Sequence, residues 1–444
     1  MSRFLFTAGQ RIQRRIGIAP AALAALVLLA ACGDASVTTP QMGPNPQLPE
    51  PQRGLLPDMT IAEPSPWGDR QPKVPDGFSI SAIARDLKIP RQMLVLPNGD
   101  LLVAEGKGGG APALTPKDLV ASVIKSRGTS SVKGGNRLTL LRDADGDGRY
   151  EGRWVYAENL NAPYGLALVG NSLFVANQDA LVRFEYQPGQ TRASAPPVAL
   201  TRLPSEINHH WTKALAASAD GRFLYVGIGS NSNIGERGME VEESRAQVWE
   251  VDAQTGASRV HATGLRNPTA LAIEPTQRQL WAVVNERDEL GADLVPDYLT
   301  SVRAGAFYGW PYAYWGPNVD TRVRPPRPDK VQAAVRPDYA LQSHSAPLGV
   351  AFSNVAFGAE RFAEGAFVGM HGSWNREAPV GYKVVFVPFQ NGRPGGEAID
   401  FVTGFQADGK TMGRPVGVTV SPRGELFVAD DLANVVWRVA RRGD

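Results

Sequence analysis

The sequence predicts an all-β protein, a six-bladed β-propeller preceded by a lipoprotein signal and a disordered, proline-rich tether. One hairpin phrase recurs six times, roughly sixty residues apart on average. The segments between copies, such as 182–186, 247–251 and 384–387, alternate like further strands. A short helix at 117–125 is the one exception to the absence of a sustained helical period.

Residues 1–32 read as a targeting segment. Arg3, Arg11, Arg14 and Arg15 precede an apolar run from Ile16 to Ala31 that is too short to span a bilayer. The run ends Leu29-Ala30-Ala31-Cys32-Gly33, which resembles a bacterial lipoprotein signal with Cys32 as the lipidated N-terminus. Arg14-Arg15 keeps twin-arginine export open beside the general route. The expected location is the periplasmic side of the cell envelope, with membrane contact through the lipid alone; Gly33 after Cys32 favours the outer membrane. Residues 33–75 are rich in proline and poor in large apolar side chains, so they read as a disordered or extended linker before a domain spanning 76–444. Cys32 is the only cysteine, which excludes disulfides, c-type haem attachment and thiolate metal sites in the mature domain. A net charge of +2 gives no reason to expect a nucleic-acid partner.

The repeated phrase is a proline or equivalent turn, a short apolar strand, a turn containing Asn, Asp or Gly, and a second strand of the Leu-Phe-Val-Ala kind. It begins at Pro90, Pro163, Trp211, Pro268, Pro347 and Pro415. In a propeller the first strand of each blade lines the central channel, and the loops leading into it open on one face. Arg91, Asn161, Tyr164, His209, His210, Arg266, Asn267, His344, Ser345 and Arg414 should therefore converge at one mouth. Such a ring of cations and imidazoles would attract a small polyanion.

His210 is the candidate general base, because an imidazole titrates near neutrality. Arg266 and Asn267 precede Pro268 and offer a planar fork and an amide to carboxylate or quinone oxygens. Asn285-Glu286-Arg287-Asp288 follows the fourth hairpin and supplies oxygens of the kind calcium prefers, although a salt-bridged turn explains it as well. Asp143-Ala144-Asp145-Gly146-Asp147-Gly148 resembles the start of a calcium loop, but Trp154 stands where an EF-hand needs its bidentate Glu, so a hairpin turn is expected. Tyr308-Gly309-Trp310-Pro311 with Tyr312, Tyr314 and Trp315 could wall a sugar or ring cofactor, or simply pack one blade on the next.

These motifs, together with His371-Gly372-Ser373-Trp374-Asn375-Arg376 and Gly413-Arg414-Pro415-Val416-Gly417-Val418, resemble the pyrroloquinoline quinone (PQQ)-dependent soluble sugar dehydrogenases, in their sorbosone and aldose dehydrogenase branch. The resemblance covers roughly residues 75–439. It implies PQQ and Ca²⁺ at the mouth, His210 as base with Arg266 assisting, and Arg266, Asn267 and Arg414 holding the cofactor, with Arg376 in place of a family lysine. It also implies calcium on the backbone carbonyls of Arg287 and Asp288, a sugar substrate, and an external electron acceptor such as a cytochrome or quinone. This sequence departs from the glucose-oxidising branch, which carries Gln-Gly-Pro where Arg287 and Asp288 stand. Two other functions remain open at this point, a calcium-dependent lactonase-type hydrolase and a non-catalytic binding propeller of the envelope.

Overall fold

The computed structural model describes residues 41–52, 59–114, 116–357 and 360–443. Cys32, the rest of the signal segment and the start of the linker lie outside them. Six antiparallel sheets follow one another along the chain. Their first strands are Pro90–Val95, Gly165–Val169, Lys213–Ala217, Pro268–Ile273, Pro347–Phe352 and Pro415–Val420, one at each copy of the repeated phrase. Each of these strands contacts the first strand of the next sheet, and the sixth contacts the first, so the six close into a ring. The last sheet is completed by Phe78–Ala84, which pairs with Val435–Arg441 and ties the beginning of the domain to its end. The chain is all-β apart from short helices, of which Pro116–Arg127 is the longest among the described residues.

Six apolar clusters fill the six gaps between sheets. This explains the composition of the strands. A second strand such as Leu101–Glu105 or Leu426–Asp430 is buried along its whole length, because both of its faces meet a neighbouring sheet, so it reads as a continuous apolar run rather than an alternating one. The first strands crowd around the axis and need small residues. A Cβ on Gly349 would collide with the Val416 carbonyl, and one on Gly417 with the Arg91 carbonyl.

The described residues between 41 and 75 are hydrogen-bonded to the sheets. Gly43 exchanges two backbone hydrogen bonds with Ala340 at 2.8 and 2.9 Å. Gln52 bonds to Leu290, Thr60 bridges to Arg376, and Lys73 to Thr403. Trp67 is buried against Phe405 and Trp437 and donates its indole N–H to Asp430. A proline-rich chain cannot build a core of its own, but its remaining N–H and C=O groups can complete the exposed edges of sheets that already exist.

Residues 106–136, between the second and third strands of the first sheet, form an insertion that carries the Pro116–Arg127 helix. Gly109 takes a hydrogen bond from its N–H to Gln178 and lies against Trp211, Pro112 accepts from Arg237, Gly128 accepts from Arg414, and Ser130 accepts from Asn434. These anchors belong to the second, third and sixth sheets, so the insertion crosses the mouth of the ring. Gly128 is pressed against Ile61 of the linker so closely that a Cβ there would overlap the Ile61 side chain.

Candidate active site

Most of the residues expected at the mouth do meet there. The turn leading to His210 is strained, with Ile207 at φ 62° and Asn208 at φ 53°, conformations that a β-branched residue in particular adopts at a cost. The buried amide of Asn208 helps hold the turn, since its Oδ1 accepts from Lys213 Nζ at 3.1 Å and from Arg245 Nη1 at 3.3 Å. Arg245 also donates to the His210 carbonyl at 3.0 Å.

His210 Nδ1 lies 2.9 Å from the Ser230 carbonyl and 3.0 Å from Ser230 Oγ. That hydroxyl gives its own proton to the Ser232 carbonyl at 2.6 Å. Both oxygens facing Nδ1 are therefore acceptors, Nδ1 must carry the hydrogen, and Nε2 is left with its lone pair. Burial, reinforced by the nearby Arg266 charge, holds the His210 pKa well below its ordinary value and keeps the ring neutral. The neighbouring His209 packs edge-on at 4.6 Å, its pKa lowered to about 3 mainly by burial. Gly229 sits between His210 and Asn267, where any Cβ would strike both side chains. Nothing in the sequence marked Gly229, because the close approach it permits is a tertiary fact.

Arg266 is buried and almost fully committed. Nε donates to the Asn233 carbonyl at 3.2 Å, Nη1 to the Glu286 carbonyl at 2.7 Å and more loosely to Asn285 at 3.4 Å, and Nη2 to Asn233 Oδ1 at 3.0 Å and Asp288 Oδ2 at 3.2 Å. The loose Nη1 contact is the N–H most easily drawn off by a ligand. Asp288 is also held by Asn375 at 2.8 Å, with His344 Nδ1 at 3.5 Å. Although burial works against its charge, His344 and Arg266 keep Asp288 ionised well below the usual carboxylate range. Asn233 organises this group, because its amide bonds Arg266, the Asp288 N–H at 2.9 Å and the Asp288 carbonyl at 3.2 Å, while its own carbonyl accepts the Trp310 indole at 2.8 Å. It lies in a loop with no strand pattern around it, so nothing in its sequence context singles it out.

On the far side, Arg414 donates to the carbonyls of His371 at 3.0 Å, Gly128 at 3.0 Å and Gly372 at 2.8 Å. His371 bonds Asp431 at 2.9 Å, and Asp431 pairs with Arg91 at 2.8 Å. Arg376 is spent on Asp293 at 2.8 Å and on the Ala292 carbonyl. The Arg287 side chain turns inward to an ion pair with Asp320 at 3.2 Å, both side chains 2% exposed, so only its backbone is available to a ligand. The Asn285–Asp288 stretch is thus a salt-bridged turn in part, through Arg287 and Asp288. Of the aromatic group, Tyr308, Tyr314 and Trp315 pack in the gap between the third and fourth sheets, and only Trp310 reaches the site, through Asn233. Tyr164 is buried beside Trp211 and bonds the Leu348 carbonyl, so it belongs to the channel wall.

Two features point to an absent ligand. Three carboxylates at the mouth have cations of their own, Asp288 with Arg266, Asp431 with Arg91 and Asp293 with Arg376. Arg414 and Lys125, by contrast, are paired with no carboxylate among the described residues. In addition, the buried Oδ1 atoms of Asn267, Asn285 and Asn375 accept no hydrogen bond. Cations without a carboxylate partner beside unsatisfied oxygens suit an anionic ligand bound together with a hard cation. Away from the mouth, Asp143, Asp145, Asp147 and Glu151 gather carboxylate oxygens within 4.8 Å of one another. Asp143 and Asp147 also receive backbone N–H bonds that close the expected turn, as Gly146 donates to Asp143 at 2.8 Å and Arg149 to Asp147 at 2.8 Å.

A closed ring of six antiparallel sheets with cations, imidazoles and amides gathered at one mouth defines the class, an all-β ring protein with a polar site at one end of its axis. The chain belongs to the TrAA12-like family, whose sequence model matches residues 72–297 and 329–442. A PQQ-dependent pyranose dehydrogenase of Coprinopsis cinerea is 24% identical over 365 residues, covering 72% of this chain and 45% of that enzyme, so the match spans less than half of its length. The calcium structure of Trichoderma reesei Carbohydrate-Active Enzymes Family AA12 superposes with a TM-score of 0.67 at 20% identity, covering 83% of this chain and 97% of that one. The holo PQQ domain of the Coprinopsis cinerea pyranose dehydrogenase superposes with a TM-score of 0.65 at 21% identity, covering 86% of this chain and all of that domain.

Proposed function

We propose that this protein is a PQQ- and calcium-dependent oxidoreductase that oxidises an aldose or a related aldehyde sugar such as sorbosone, its ring of sheets being a six-bladed β-propeller. The observation that carries the reading is His210, a neutral imidazole with Nδ1 fixed on Ser230 and Nε2 open, beside Arg266 and Asn267. The likeness to PQQ-dependent pyranose dehydrogenase supports it.

The residues present fit both groups. Arg414 and the open edge of Arg266 suit the carboxylates and quinone oxygens of PQQ, and the unsatisfied Asn267 Oδ1 can take a hydrogen bond from a sugar hydroxyl. For calcium, Asp288, Asn285 Oδ1 and the backbone carbonyls of Arg287 and Asp288 provide hard oxygen donors. Arg376 contributes by bracing residues 292 and 293 beneath this turn rather than by touching the cofactor. When bound, PQQ accepts a hydride and calcium polarises its quinone oxygen.

The protein's own part is acid–base and electrostatic. His210 Nε2 receives the proton of the sugar hydroxyl at the carbon being oxidised, and Ser230 keeps Nδ1–H in place, so the proton arrives on the nitrogen facing the substrate. The Arg266 charge stabilises negative oxygen at the same point. The insertion over the mouth keeps bulk water out. Electrons then pass to an external acceptor. With this activity goes the envelope location expected from the Cys32 signal, and the test of catalysis is His210→Ala. That variant is expected to keep PQQ binding while losing aldose-driven dye reduction by about a hundredfold or more; dye reduction as fast as in the wild type would refute the role of His210.

A further inference from the structure

The helix Pro116–Arg127 is inverted for a surface helix. Asp118, Ala121, Lys125 and then Gly128 follow one helical face, and that face turns toward the mouth, with Ala121 and Gly128 buried and Asp118 and Lys125 half-buried. Leu119, Val120 and Val123 point outward and are 60%, 52% and 54% exposed. Hydrophobic burial therefore does not hold this helix in place. The one cation on its inner face is the ammonium of Lys125, two helical turns after Asp118.

Lys125 Nζ lies 3.8 Å above the Trp374 ring, and Trp374 belongs to the loop that supplies Asn375 to Asp288. Burial lowers the Lys125 pKa, opposed by the charge of Asp288 and reinforced by that of Arg266. Lys125 also acts on His209 electrostatically. Of the carboxylates that act on Lys125, Asp288 is strongest and is already engaged by Arg266, with Asp118 and Glu289 acting more weakly. Lys125 is thus a cation with an aromatic floor and no ion pair among the described residues.

We propose that Lys125 is a ligand-binding residue of the mouth, brought in by the insertion, whose ammonium takes a carboxylate of the molecule that fills the site. The carboxylate comes either from the cofactor or from an acidic sugar substrate. The inference deepens the proposed function and rests on it for the identity of the cofactor. It also explains the anchoring, since Arg414 holds the end of the same helix through the Gly128 carbonyl.

The experiment compares wild type, Lys125→Met and Lys125→Arg, all shown by circular dichroism and thermal unfolding to be folded alike. One arm titrates PQQ with Ca²⁺ and reads quenching of tryptophan fluorescence, to which Trp374 contributes. The other arm reads the thermal shift produced by D-glucuronate against D-glucose. Loss of a charge-assisted hydrogen bond predicts binding roughly ten- to a hundredfold weaker in Lys125→Met, partly recovered in Lys125→Arg. Weakening in the PQQ arm identifies a cofactor carboxylate. Weakening confined to glucuronate identifies an acidic sugar. Unchanged binding in both arms overturns the role of Lys125 and leaves the proposed function standing. If the wild type binds no PQQ, it is the proposed function that fails, and Lys125 is judged by the glucuronate arm alone, where glucuronate binding that does not depend on Lys125 refutes it.

Discussion

Replacing Asn233 with alanine should loosen the site without touching the sheets. The side chain makes three hydrogen bonds, from Arg266 Nη2 at 3.0 Å, from the Asp288 N–H at 2.9 Å and to the Asp288 carbonyl at 3.2 Å. Two of these are between neutral groups, worth about 1 kcal/mol each, and one involves a guanidinium, worth about 1.5–3 kcal/mol. Asn233 is only half-buried. Water can re-enter and satisfy part of what is lost, so the net destabilisation should be about 2–3 kcal/mol. Urea unfolding followed by tryptophan fluorescence measures it, with an unchanged denaturant dependence showing that the unfolded state is unaltered. Asn233→Asp keeps the oxygen that accepts from Arg266 but sets another oxygen against the Asp288 carbonyl, so it should fall between alanine and wild type. An alanine variant within about 0.5 kcal/mol of the wild type would show that the Arg266–Asp288 pair holds its place without Asn233, and would refute the reasoning.

Two further outcomes follow from the same contacts. Gly128→Ala places a methyl group against Ile61 and should lift the insertion, seen as faster proteolytic cleavage within 106–136, and Ile61→Ala in the same chain should restore protection. The second concerns pH. Burial, aided by the Arg414 charge and opposed by Asp431, lowers the His371 pKa to about 4. The folded state therefore resists a proton that the unfolded chain accepts at its ordinary value, so the contribution is present above about pH 6.5 and is lost as pH falls toward 4. The full loss is about 3 kcal/mol. His371→Gln, which can still bond Asp431, should fall less steeply in melting temperature than the wild type across this window; parallel curves would contradict the assignment.

The repeats were legible because each inner hairpin must be small-residued at the axis and apolar between sheets, and Pro90, Pro163, Pro268, Pro347 and Pro415 mark where five of the six begin. His210, Arg266, Asn267 and Arg414 were legible for the same reason, since each precedes a first strand and the ring brings such positions together. Arg287 and Arg376 illustrate the limit. Sequence position places a residue at the mouth but does not say whether its side chain faces a ligand, Asp320 or Asp293. Asn233, Gly229 and Lys125 were not legible because their roles depend on loops that meet only after folding. The bonding of the linker was hidden because it rests on backbone groups, to which composition is blind.

The most direct test of the account is a PQQ titration of the purified, metal-stripped protein, with and without Ca²⁺, followed by cofactor absorbance. Saturable binding that requires calcium and that weakens in Arg414→Met is the predicted result, because Arg414 is a buried cation of the mouth with no carboxylate partner among the described residues. Absence of PQQ binding with or without calcium would contradict it.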